Sequence, residues 1–146
     1  MSVEENKALV RRFFEAVSGV KGDLSKMQAW IGEFIDPEHV AHSPQGDTKL
    51  EQSSQMWGMI FSAFPDLNEK IVDIVAEANK VVTRLEVTGT HKGNFQGMPP
   101  SGKQFRFSEV SIMRVANRKI LEEWDFPDML GLMQQLGAIP SGPPKK

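Results

Sequence analysis

At Pro65 the spacing of apolar residues changes, and with it the kind of structure each part of the chain can form. Before Pro65, apolar side chains recur at helical intervals: Ala8, Leu9, Phe13, Phe14 and Val17, then Met27, Trp30, Ile31 and Phe34, then Met56, Trp57, Ile60 and Phe61. These stripes predict a first helix capped by Ser2 with Glu5, a second over Leu24–Phe34 and a third over roughly Lys49–Phe64. Gly19 and Gly22 break the first, Pro37 is expected to end the second, and Pro65 stops the third. His39–His42 reads as a short extended piece. After Pro65 the period is two. Strands are predicted over Leu67–Glu77, Val81–Thr90, Gln104–Val115 and Lys119–Phe126, with turns at 78–80 and 116–118 and a Gly/Pro-rich loop over 91–102. A short helix, Asp128–Leu136, closes the chain, with Gly137 as its C′ residue. Helices followed by a meander predict an α+β domain. Its N-terminal helices would pack on a strongly curved antiparallel sheet, giving a cone with an open mouth.

With 146 residues the chain has room for one domain, spanning about 1–140, and a polar, proline-rich tail over 141–146. A net charge of -2 argues against general nucleic-acid binding, which needs a basic face. There is no cysteine, so disulfides, thiol nucleophiles and thiolate metal sites are excluded; this composition fits the cytoplasm. No apolar run is long enough to span a membrane, and the acidic, amphipathic N-terminus is unlike a signal peptide.

The acid–base groups are therefore mostly carboxylates. Asp125 and Asp128 sit beside Trp124 and Phe126 where the last strand gives way to the last helix. A carboxylate kept from water there has a raised pKa and can serve as a general acid or base near neutrality. Either aspartate also has a plain role, Asp125 as a solvated strand-end charge and Asp128 as a helix N-cap. Strand alternation puts Phe107, Glu109, Ser111 and Met113 on one face, and Leu121, Glu123 and Asp125 on another. If both faces line the cone, Glu109, Glu123 and Asp125 form an acidic cluster; if both face outward, they are solvated.

Arg84 and Glu86 share a face and could bind a substrate carbonyl or carboxylate, or form cross-strand ion pairs. Trp57 and Trp124 could belong to the core or form a flat pocket wall, and Met56, Met59, Met129 and Met133 suit a bulky apolar ligand. His39, His42 and His91 lack metal-ligand spacing, so no metal is expected. Gly97-Met98-Pro99-Pro100-Ser101-Gly102 lacks the ending of a phosphate loop and reads as a rigid hairpin tip at the cone mouth.

Several ordered pieces carry a resemblance: Ala63-Phe64-Pro65-Asp66-Leu67, Gly89-Thr90-His91-Lys92-Gly93, Gly97 to Lys103, Lys119 to Asp125, and Leu130 to Gly137. With them the chain resembles a SnoaL-like polyketide cyclase of the nuclear transport factor 2-like superfamily, from about residue 5 to residue 140. The resemblance implies a cone-shaped α+β barrel, dimerisation through the sheet, and acid–base chemistry without a cofactor on a small apolar or aromatic carbonyl ligand. It implies an aspartate that starts an intramolecular aldol ring closure of a polyketide ester, and Asp125 holds that position. It also implies a pocket-facing histidine at His42, a residue that reads equally well as a hydrogen-bonded loop histidine. Active cyclases of the family tend to carry a histidine where this chain has Ser111, three residues before Arg114. Three functions follow: an acid–base enzyme using Asp125 or Asp128, a carrier with the same cone, or an interaction domain with a filled cone.

Overall fold

The computed structural model describes Ser2 to Ile139; the expected tail lies outside the described residues. Helix α1, Val3–Glu15, starts at the expected capping box: the Ser2 hydroxyl accepts from the Glu5 N–H at 3.1 Å, and the Glu5 carboxylate accepts from the Ser2 N–H at 3.2 Å. A 3-10 turn, Ala16–Gly19, leads to α2, Leu24–Phe34, whose N-cap Asp23 accepts from the backbone of Ser25 and Lys26. Next come β1, Ile35–Ser43, β2, Gly46–Lys49, and α3, Leu50–Ala63. Strands β3, Asn68–Glu77, β4, Lys80–Thr90, β5, Gln104–Ala116, and β6, Lys119–Pro127, follow, and α4, Met129–Gln135, ends the fold.

The α+β class is as expected, but the sheet differs from the expectation in two ways. It is mixed rather than antiparallel, with order β2-β1-β6-β5-β4-β3 and β1 parallel to β6. It is also open rather than closed into a barrel, so β2 and β3 are edges. Strand β2 has only four residues, Gly-Asp-Thr-Lys, too polar to show strand alternation in sequence and too short to complete a barrel. Pro37 does not end α2; it lies within β1, where the pairing register shifts between Ile35 and Val40. A bulge is where a strand tolerates a missing N–H.

The core lies between the helices and the inner face of the sheet. Phe13 packs against Phe14, Trp30 and Phe34, and the Trp30 indole N–H donates to the Phe13 carbonyl at 3.0 Å. Among the described residues, no helix is long and apolar enough to cross a membrane. The β4–β5 loop is fastened to the end of α3, because the N–H groups of Lys92 and Gly93 both donate to the Ala63 carbonyl, at 2.9 and 3.0 Å. Residue 93 must be glycine for this approach, since a Cβ there would sit 2.5 Å from the Ser62 carbonyl oxygen. That contact holds Asn94, Phe95 and Gln96 at the rim of the cavity described next.

Candidate active site

A cavity of about 1350 Å³ opens between the helices and the inner face of the sheet. Its walls are mostly apolar, with Trp57 and Met56 from α3, Phe105 and Phe107 from β5, and Met129 from α4. Four carboxylates also line it: Glu69 of β3, Glu109 of β5, and Glu123 and Asp125 of β6. Among the described residues, no Lys, Arg or His lines it.

Register explains the convergence. Asp125 lies directly opposite Ser111, and Glu109 opposite Pro127. The Ser111 hydroxyl donates to Asp125 Oδ1 at 3.0 Å, and Glu123, two residues before Asp125 and therefore on the same face, is hydrogen-bonded to it. Two carboxyl groups can share such a bond only if one holds a proton. Behind the pair stands His39, which is 1% exposed and packs against the Trp57 ring. His39 Nε2 is 3.5 Å from Glu123 Oε1, too far for a well-made hydrogen bond, and neither ring nitrogen has a hydrogen-bond partner.

These surroundings move the titrations a long way. Burial, with Asp125 and Glu123 nearby, pushes Glu69 up to about 8. Burial pushes Glu123 up to about 7, against the opposing effect of its bond to Asp125. Burial and then neighbouring carboxylates hold Glu109 and Asp125 well above the usual carboxylate range. Glu69, Glu109 and Asp125 keep part of their surface open to the cavity, but the apolar walls keep bulk solvent away from them. Burial lowers His39 to about 4, so the imidazole is neutral at pH 7 despite the pull of Asp125.

The residues expected at the site divide between two faces of the sheet. Asp125, Glu109 and Trp57 line the cavity, and Ser111 contacts Asp125 from below. His42, Arg84 and Trp124 lie on the outer face, because each alternates with an inward neighbour. His42 bonds Asp47 at 2.8 Å and Glu122 at 2.7 Å, and stacks on Trp124. Giving a proton to both carboxylates requires the imidazolium, and the bonds to Glu122 and then Asp47 raise its pKa. Arg84 pairs with Asp73, and Arg106 with Glu86 at 3.6 Å, so the cross-strand ion-pair reading holds. Trp124 and Phe126 also point outward. The raised pKa of Asp125 comes from the cavity, not from these sequence neighbours.

Asp128 is the N-cap of α4: its Oδ1 accepts from the Gly131 N–H at 2.9 Å, and it is exposed and outside the cavity lining. Asp128→Ala should lower stability by about 1 kcal/mol and leave turnover close to wild type. A chemical-denaturation curve run beside an activity assay checks both. A large loss of turnover with an intact fold would restore Asp128 as a catalytic candidate.

Two groups escaped the sequence reading of the site. Glu69 was legible in principle, since it shares one face of β3 with Ile71, in step with Leu67 just before the strand. His39 was not, because a register shift in β1 decides which side it takes.

The sequence profile of the SnoaL-like polyketide cyclases matches residues 6–136. The chain is 30% identical over 131 residues to aklanonic acid methyl ester cyclase DauD of Streptomyces sp. (strain C5), covering 88% of this chain and 80% of that protein. It is 40% identical over 113 residues to nogalonic acid methyl ester cyclase of Streptomyces nogalater, covering 73% and 83%. The crystal structure of AclR from Streptomyces galilaeus, described provisionally as a hydroxylase, superposes with a TM-score of 0.85 at 31% identity, covering 97% of this chain and 87% of that one. A match over nearly the whole fold makes this chain a member of the SnoaL-like polyketide cyclase family.

Proposed function

We propose that this protein closes a ring in a polyketide ester by an intramolecular aldol addition, with Asp125 as the base and no cofactor. The observation that carries this reading is Asp125 itself, a carboxylate with a raised pKa on the floor of an apolar cavity, oriented by Ser111 and Glu123. Its ionised form removes a proton from a carbon next to a carbonyl, and the resulting enolate carbon attacks a second carbonyl of the same molecule. Trp57 offers a flat wall for a fused-ring substrate. The relatives act on aklanonic and nogalonic acid methyl esters, so aklanonic acid methyl ester is the trial substrate. Aldol closure is an isomerisation, so mass spectrometry should find a cyclised product of unchanged mass.

The similarity to AclR supports a second reading, hydroxylation of the same kind of scaffold. A product gaining one oxygen atom would favour it. Binding without turnover, unaffected by Asp125→Asn, would favour a carrier.

We also propose that the outer sheet face pairs two copies. Val75, Val110 and Phe126 are exposed there beside the Arg84–Asp73 pair. Light scattering should give a dimer for the wild type and a monomer for Phe126→Glu; a wild-type monomer would refute this.

A further inference from the structure

We propose that Glu109 is the acid that completes the reaction Asp125 begins, giving its proton to the carbonyl oxygen that becomes the new hydroxyl. This rests on the acid–base reading above.

The argument starts from charge. Four carboxylates share a cavity that, among the described residues, no cation lines. An unpaired ionised carboxylate in apolar surroundings is costly, and several together repel one another. Among the described residues, the basic group nearest the cluster is His39, which is buried, neutral and without a hydrogen-bond partner, so it supplies no compensating charge. The cluster must therefore hold protons. Glu123 and Asp125 share one through their mutual bond. Glu69 and Glu109 have no hydrogen bond or ion pair to any described residue. A protonated carboxyl at Glu109 is thus a donor with nothing to donate to except a molecule in the cavity.

Geometry places it well. Glu109 faces Pro127, two residues past Asp125, so the two acids are diagonal neighbours on one face, with backbones about 7–8 Å apart. A substrate can lie between them with its acidic carbon at Asp125 and its carbonyl oxygen at Glu109. Glu69 approaches from β3, one strand beyond β4, and its charge is the largest influence on Glu109 after burial. Ser111 only donates to Asp125, leaving the acid role open.

The step balances. Asp125 takes the proton from carbon, and the C–H electron pair forms the new carbon–carbon bond. The carbonyl π pair moves to oxygen, which takes the Glu109 proton. Asp125 then loses, and Glu109 regains, a proton through solvent after product leaves. Glu69 acts through Glu109 and is a positioning residue.

The test is an NMR titration of the full-length protein labelled with 13C at glutamate Cδ, in the wild type, Glu109→Gln and Glu69→Gln. The Glu109 signal, identified by its loss in Glu109→Gln, should titrate well above the usual carboxylate range and move down in Glu69→Gln. With aklanonic acid methyl ester, Glu109→Gln should lower kcat about 100-fold with little change in KM, and the alkaline limb of the kcat profile should disappear. A Glu109 that titrates near 4.5, or wild-type kcat in Glu109→Gln, overturns the proposal. If Glu109 titrates as expected while Asp125→Asn retains turnover, the base assignment fails and the acid assignment stands.

Discussion

In Asp125→Asn, turnover of aklanonic acid methyl ester should fall by about 10² to 10⁴, the usual contribution of a positioned general base, while the fold and ligand affinity are retained. Asparagine keeps the shape of the side chain and can still meet the Ser111 hydroxyl. It cannot accept a proton from carbon. It also removes the proton-sharing bond to Glu123, a buried carboxyl at 3% exposure. The wild-type kcat profile should rise with pH as Asp125 ionises, because burial and Glu123 hold its pKa well above the usual range. Circular dichroism and a binding titration with the same ester would show that fold and cavity survive. Wild-type turnover in a folded Asp125→Asn would rule Asp125 out as the base.

Stability should fall as pH rises from about 6.5 to about 8.5, by on the order of 2 kcal/mol. The cause is the cavity cluster. Glu69 and Glu123 titrate at about 8 and about 7 in the fold, against an ordinary value of 4.5 for each. Above 4.5 the unfolded chain has released these protons while the native state still holds them, so every step up in pH favours unfolding until the folded pKa is passed. Their stabilising effect is fully present below 4.5 and gone above about 8. His42, raised by its bonds to Glu122 and Asp47, loses its contribution in the same direction. His39 acts oppositely, since its folded value of about 4 lies below the ordinary 6.5. It adds stability as pH climbs between those two values, which is why the test begins above them. Glu5, Asp23, Asp66 and Glu122 are lowered, and their contributions are already complete in this window. Urea unfolding across the window measures the slope, and Glu69→Gln should flatten it. A wild-type curve that stays level or rises would mean that the cavity carboxylates are ordinary solvated acids.

The sequence by itself determined the class of fold and most of its elements. The change of apolar period at Pro65, the Ser2–Glu5 capping box and the left-handed Gly137 at φ 83° are local signals, and each appears where it was read. The β-branched run of β4 and the tight turns at Ala78 and Asn117 are legible for the same reason. Asp125 was legible too, by its place at the end of the last strand.

Tertiary structure decided what the local signals do not carry. Alternation shows that Glu123 and Asp125 share a face, and that His42 and Trp124 belong to rows of their own. It does not say which face is covered by helices. That is set when α1, α2 and α3 pack their aromatic stripes against one side only, sending His42, Arg84 and Trp124 outward and Glu109 inward. The parallel pairing of β1 with β6 depends on a partner about 80 residues away in the chain, and the four-residue β2 forms only by pairing with β1. Glu69 joins the cluster across β4, and His39 turns inward through a shift in strand register. A carboxylate becomes an acid or base near neutrality because of what surrounds it, and those surroundings are assembled from β3, β5, β6 and α3 only when the chain folds.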